Sequence, residues 1–377
     1  MGSALKLVAV FGFALPLLAA GLPGTKAGDP AKLADALLKG LGTEREPGAA
    51  VMVQKDGVIV YLGTRGVADM QAMRPIDGRT NFRLASVTKQ FTAAAVMLLV
   101  RDGKLHYEDR LSDLLPGFPD YGRAITVRHL LNHTSGLPDY EDLMPAAGPT
   151  RPVEEGQIDD AGVLELLKGQ KAGLFAPGSA WRYSNSGYVL LGLVVARASG
   201  QSFPVFLRER VFQPLKMTGT VAHVRGQTTV ADRAFGYAKE DGRWRFTDQS
   251  PTSATLGDGG VYSSLTNLSL WDEALRRRLL LTEAEMGPAL SPVRVPGEGP
   301  VGPDGKPAAY GFGWFLDPWK GHPRMWHYGE TAGFRTAIHR FTGAGLTVVV
   351  LANRTDVDAS ALALKIAGGY LGGGGSR

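Results

Sequence analysis

Residues 91–100 carry no charge and are apolar or small at nearly every position. A segment apolar on all sides predicts a helix buried all round. One charge, Lys89, stands at its start, and the residues before it, Asn81-Phe82-Arg83-Leu84, read as an extended lead into Ser86 at the helix mouth. Upstream, Asp29-Pro30 predicts a helix to about Leu41, with Asp29 as N-cap, Pro30 at the first helical position, and Gly40 and Gly42 ending it. Residues 49–54 and 58–61 are apolar runs separated by Lys55-Asp56-Gly57, and Asp-Gly in that setting predicts a β-hairpin. Residues 104–280 read instead as helical segments broken by Pro and Gly. One opens at Thr126 and closes at His133-Thr134-Ser135-Gly136; another, apolar, runs over 188–199 and stops at Gly200; residues 141–157 read as a surface excursion. Strand-like runs return at 311–316, 325–328, 334–341 and 346–352, and a helix closes over 356–371.

Strands at both ends therefore bracket a helical middle, which predicts an α/β fold of α+β type. One sheet domain is expected from residues 28–103 and 281–371, a mostly helical inserted domain from 104–280, and a flexible Gly-rich tail from 372–377. Lys6 followed by apolar or small residues from Leu7 to Ala20 resembles a secretory signal over residues 1–27, so export to the periplasm or medium is expected, with no stable membrane span once it is cleaved. Of the 377 residues, 44% are hydrophobic and 20% charged, enough for one large core or two modest ones. The net charge of +5 is scattered, and without a basic block nucleic acid is excluded as a partner. The absence of Cys excludes disulfides, thiol catalysis and lipoprotein attachment.

Ser86 and Lys89, three apart, project from one helix face, a nucleophile beside a base. The same Ser-x-x-Lys spacing occurs at Ser3 and Lys6. The second copy differs because a lysine in an apolar helix is costly unless it has partners or a lowered pKa. First-turn N–H groups would also lie where an oxyanion develops. Two short motifs could complete a site: Tyr183-Ser184-Asn185 ahead of the apolar helix, and His327-Tyr328-Gly329 at a predicted strand end. Taken singly, each reads first as a satisfied buried polar group, and order and setting together give it weight. His129 and His133 have a metal-compatible spacing but no acidic third ligand, so no metal is expected. No Gly-x-Ser-x-Gly elbow, phosphate loop or dinucleotide fingerprint occurs, and no cofactor is expected. Aromatic residues from Tyr310 to Phe334 read as sheet core, with Trp314 and Tyr328 as the candidates for a cleft wall.

Jointly, Leu84-Ala85-Ser86-Val87-Thr88-Lys89, residues 125–137, Tyr183-Ser184-Asn185, Gly259-Gly260-Val261-Tyr262-Ser263-Ser264 and His327-Tyr328-Gly329 resemble the serine β-lactamases and penicillin-binding proteins. The likeness is greatest to the class C branch, with its D-alanyl-D-alanine peptidases and β-lactamase-fold esterases, and covers about residues 30–370. It implies a β-lactamase/transpeptidase-like fold, an antiparallel five-stranded sheet flanked by helices with an α domain beside it. It also implies that Ser86 forms an acyl-enzyme, that Lys89 and Tyr183 move the proton, that Asn185 orients Lys89 and the substrate amide, and that the N–H groups of Ser86 and Glu330, after Gly329, form an oxyanion hole. His327 stands where the lactamases keep a lysine, and Arg335 is a candidate to replace that charge. An ordinary histidine gains charge near pH 6.5, so carboxylate-bearing substrates are expected to improve as pH falls. The expected activity is cleavage of small esters, amides or D-Ala-type peptides through Ser86, with β-lactams as a further candidate class; the alternative is a penicillin-binding or sensor protein that acylates or binds peptidoglycan-like peptides with little turnover.

Overall fold

The computed structural model describes residues 29–144 and 156–372. The expected signal, residues 373–377 of the expected tail and residues 145–155 of the expected surface excursion lie outside the described residues. Helix α1 (Pro30–Lys39) starts where Asp29 Oδ1 accepts the Ala31 N–H at 2.9 Å, and it ends at Gly40. The hairpin forms between β1 (Ala49–Lys55) and β2 (Val58–Arg65). Asp56 and Gly57 both take positive φ, 51° and 87°, which a two-residue turn matching the strand twist requires.

From the other end of the chain come β3 (Met325–Thr331), β4 (Phe334–Phe341) and β5 (Leu346–Ala352). The five strands form one antiparallel sheet in the order β3-β4-β5-β1-β2, closed by β5 against β1. On one face Val51, Val53, Val348 and Val350 pack with α1 and the C-terminal helix α5 (Ala359–Leu371). On the other, Ala50, Met52, Val349 and Leu351 enter a larger core. Burial on both faces is why β1 and β5 read as continuous apolar runs instead of alternating ones. Each of these Val, Leu and Met side chains contributes about 1.5–3 kcal/mol of burial.

That larger core is built on α2 (Lys89–Arg101) packed against α3 (Asn185–Ser199), and both helices are buried almost throughout. Helix α4 (Leu265–Arg277) lies on the sheet, where Asp272 accepts Arg340 Nε at 2.5 Å and the Thr347 hydroxyl at 2.7 Å. Two features differ from the sequence reading. Residues 311–316 are not a strand, because Gly313 at φ 74° reverses the chain and only single bridges form, Tyr310 to Phe315 and Phe315 to Trp326. Short strands also interrupt the helical middle. Val261–Ser263 pairs with Phe82–Arg83, and Tyr237–Glu240 pairs with Arg243–Phe246; three or four residues give too little alternation to recognise. Among the described residues no single helix is long and apolar enough to cross a membrane.

Candidate active site

Ser86 sits on a single 3-10 turn, Ala85–Thr88, between the short strand Phe82–Arg83 and α2. Helix proper therefore begins at Lys89, three residues later than the sequence pattern predicts. Ala85 is held at φ 48°, a left-handed conformation that costs a non-glycine residue about 1–2 kcal/mol. Its surroundings enforce it. The Leu84 N–H donates to Val261 O at 2.9 Å, and Leu84 O accepts the Thr336 hydroxyl at 2.7 Å. Ala85, Val87 and Thr88 are buried while Ser86 stays partly exposed, so the turn presents the serine alone.

Lys89 is fully buried, and its Nζ lies 2.9 Å from Ser86 Oγ, 2.8 Å from Asn185 Oδ1 and 3.0 Å from the Asp258 carbonyl. An ammonium has three N–H bonds and here meets three acceptors. Burial lowers the Lys89 pKa to about 8, partly opposed by the carboxylates of Asp258, Asp139 and Glu141. In the neutral amine, Asn185 Oδ1 and the Asp258 carbonyl, both acceptors only, take the two remaining N–H bonds. The lone pair is then left facing Ser86. Gly257 makes this possible: a Cβ there would stand 2.2 Å from Tyr188 O, so only glycine lets this loop lie on α3 and bring the Asp258 carbonyl to Lys89.

Asn185 opens α3, and its N–H donates to Asp139 Oδ2 at 2.7 Å. Just ahead of it, the Tyr183 ring lies 4.9 Å from Lys89 Nζ. Burial raises its phenol above the ordinary tyrosine range, while a hydrogen bond with Ser86 acts in the opposite direction. Tyr183 is therefore a neutral phenol at physiological pH, in contact with the serine.

Strand β3 is the free edge of the sheet and packs against the serine turn. Trp326 exchanges both its backbone hydrogen bonds with Phe315, away from β4. Antiparallel alternation then turns Tyr328 and Glu330 to the same open side. The Glu330 N–H thus points off the sheet edge while its side chain is exposed. At Gly329 a Cβ would lie 2.2 Å from Leu84 O, so glycine sets the approach of β3 to the turn.

His327 departs from expectation. It is fully buried among the rings of Tyr183, Tyr310, Phe315 and Tyr328. Burial, with the nearby charge of Lys89, lowers its pKa to about 3, so the expected gain of charge near pH 6.5 does not occur. Trp314 also departs. It is buried behind α2 with Met97 and Trp271, beside a cavity of about 20 Å³, and lines neither open cleft, because the reversal at Gly313 turns it inward. Tyr328 stands between two open cavities. One of about 890 Å³ is lined by Phe175, Trp181, Tyr183, Phe315 and the 298–302 segment. The other, about 550 Å³, includes Gly329, Glu330, Arg335 and Arg324. Arg335 Nη1 donates to the carbonyls of Thr331 and Phe334, which fixes the guanidinium at the cavity wall.

Three groups were missed from sequence. The Asp258 carbonyl carries no side-chain signal. His133 reads there as turn punctuation and Tyr310 as core. The nearest signal is His133 itself, a residue type that tolerates the left-handed φ of 62° it takes in this turn; its type and setting were visible but its neighbours were not. His129 is accounted for without a metal: its Nδ1 accepts the Thr126 N–H at 3.2 Å in a helix cap.

Comparison with known proteins agrees with this geometry. The sequence matches the Beta-lactamase family over residues 33–369. It is 33% identical over 334 residues to penicillin-binding protein 4* of Bacillus subtilis, covering 85% of this chain and 71% of that one. It is 29% identical over 329 residues to a D-aminopeptidase of Cereibacter sphaeroides, covering 87% of this chain and 60% of that relative's length. The structure of the octameric penicillin-binding protein homologue from Pyrococcus abyssi superposes with a TM-score of 0.78 at 26% identity, covering 91% of this chain and 78% of that one. A match over nearly the whole chain, with the five-stranded sheet in place, means that this protein belongs to the beta-lactamase family and is a serine hydrolase of that family.

Proposed function

We propose that Ser86 is the nucleophile of an amide or ester hydrolase whose preferred substrates are amides or short peptides of D-amino acids. The observation that carries this reading is the Lys89 amine held among Ser86 Oγ, Asn185 Oδ1 and the Asp258 carbonyl. Neutral Lys89 takes the Ser86 proton as Oγ bonds the substrate carbonyl carbon, and the N–H groups of Ser86 and Glu330 receive the oxyanion. Tyr183 gives its proton to the leaving amine and regains one from the Lys89 ammonium. Water then repeats the sequence on the ester and frees Ser86. The substrate class rests on charge. The buried neutral His327 supplies no cation for a substrate carboxylate and Arg335 in the second cavity faces the Glu330 carboxylate at 3.9 Å, while Asp139, Asp258 and the exposed Glu141 set a negative field at Lys89 that favours an amine-bearing substrate. The D-aminopeptidase relative supports the same class.

Intact-mass kinetics with a D-alanine amide, a penicillin and a short-chain p-nitrophenyl ester test the reading. Turnover of the D-amide, with all labelling lost in Ser86→Ala, is the expected result. A mass adduct that survives Ser86→Ala rules out this nucleophile. An acyl-enzyme that forms with every substrate and never decays would instead favour a penicillin-binding role.

A further inference from the structure

Behind the cleft, three buried side chains, His133, Tyr310 and His327, form one continuous chain of hydrogen bonds, and the proposed catalytic roles use none of them. One end is a backbone donor, the Ser184 N–H, 3.2 Å from His133 Nδ1. The other is a backbone acceptor, the Tyr328 carbonyl, 2.6 Å from His327 Nδ1. Between them His133 Nε2 lies 3.1 Å from the Tyr310 hydroxyl, which lies 3.3 Å from His327 Nε2.

The ends fix the tautomer of each histidine. An N–H points at His133 Nδ1, so that atom carries the lone pair and Nε2 carries the hydrogen, which it gives to Tyr310. A carbonyl faces His327 Nδ1, so that nitrogen carries the hydrogen and Nε2 accepts from Tyr310. The Tyr310 hydroxyl thus accepts once and donates once. Tyr188 gives its own proton to the Leu131 carbonyl at 2.7 Å, so toward Tyr310 it only accepts and shares the Tyr310 hydrogen with His327 Nε2; the histidine tautomers, set by the backbone ends, do not depend on that sharing. Both histidines are held neutral by burial, which the single direction requires.

We propose that this one-way relay is a positioning device that locks the Tyr183-Ser184 segment and the Tyr328 peptide of β3 to each other, and so sets the distance from Tyr183 to the outward Glu330 N–H. Because both ends are backbone groups, the relay transfers no proton to substrate. It acts on shape. At one end His133 also lies against the Tyr183 ring, with centroids 4.3 Å apart, so it restrains the tyrosine through both ring and backbone. At the other, fixing the Tyr328 carbonyl on the open side fixes the sense of the alternation that turns Glu330 outward. The functional part of this inference rests on the hydrolase reading above; the relay itself does not.

Two measurements separate them. In protein labelled with 15N-histidine, His133 is expected as the Nε2–H tautomer and His327 as the Nδ1–H tautomer, both persisting from pH 5.5 to 8. The opposite tautomer at either residue overturns the relay, whether or not the protein turns over any substrate. For positioning, Tyr310→Phe removes only the central hydroxyl, and kcat per labelled Ser86 is expected to fall by about tenfold to a hundredfold with KM within about threefold. His327→Asn can still give an N–H to the Tyr328 carbonyl and is expected to retain at least about tenfold more kcat than His327→Leu. That pair decides the matter if Tyr310→Phe does not fold. An unchanged kcat, a loss confined to KM, or equal losses in the Asn and Leu variants would show that these residues serve packing alone.

Discussion

Three acceptors facing one amine make Lys89 the residue whose protonation governs the site. As ammonium it gives a hydrogen to Ser86 Oγ and cannot take one, so activity requires the neutral form. With a pKa of about 8, kcat/KM is expected to rise as pH increases through that value and to fall off roughly tenfold per unit well below it. A pH series on a neutral amide, whose own ionisation does not intervene, checks this, and a limb centred near 6 would assign the base elsewhere. His327 sits within the same residue shell and behaves oppositely. Its cage of rings offers no counter-charge, so His327→Lys is expected to cost about 3 kcal/mol or more of stability by burying an unpaired ammonium. Thermal melts at pH 7 read the loss. A melting point equal to wild type, together with faster turnover of a carboxylate-bearing β-lactam, would restore His327 to a place facing substrate.

At the scale of elements, the site is the meeting of a strained turn, an edge strand and two helix starts, and close approach is what assembles it. Gly329 shows this. It needs no unusual φ, only the absence of a side chain, because a Cβ would strike Leu84 O and the Thr336 hydroxyl, at 2.2 and 2.5 Å. Gly329→Ala is expected to push β3 off the serine turn and lower kcat by roughly a hundredfold, as a displacement of about an ångström does, with a smaller effect on folding. Rates within twofold of wild type would mean that β3 does not set the oxyanion geometry. These elements were legible to different degrees. The hairpin turn at Asp56-Gly57, the Asp29 cap, the charge-free helix after Lys89 and the bracket of strands at both ends are local patterns, and the layout of strands around a helical middle follows from them, whereas the five-stranded sheet was implied by the family resemblance. The Ser86–Lys89 pair was visible because both residues lie on one turn. The titration of His327 was not, since its cage is made by Tyr183, Tyr310 and Phe315 from separate stretches and its burial exists only in the fold. Trp314 misled for the same reason, as a glycine reversal decides which way it faces.

At the scale of the whole molecule, the cleft depends on a sheet built from both ends of the chain with helices laid on its two faces, and the bonds fixing that arrangement lie away from the chemistry. Asp272 of α4 is the clearest. It is buried, takes Arg340 Nε of β4 and the Thr347 hydroxyl of β5 on one oxygen, and so ties a helix to two strands. A buried ion pair adds little over well-packed apolar groups, but removal of one partner leaves the other charged and dry. Asp272→Ala is therefore expected to cost about 3–5 kcal/mol, because the Arg340 guanidinium keeps only the residue-272 carbonyl and Met325 as partners and loses its counter-charge. Because Ser86, Lys89 and Tyr183 are held by other contacts, the fraction that remains folded should label and turn over at wild-type rates. Denaturant melts alongside active-site titration distinguish the two quantities. If kcat per titrated site falls in step with stability, the sheet and its helix α4 position the catalytic groups directly, and the separation of scaffold from site fails at this residue.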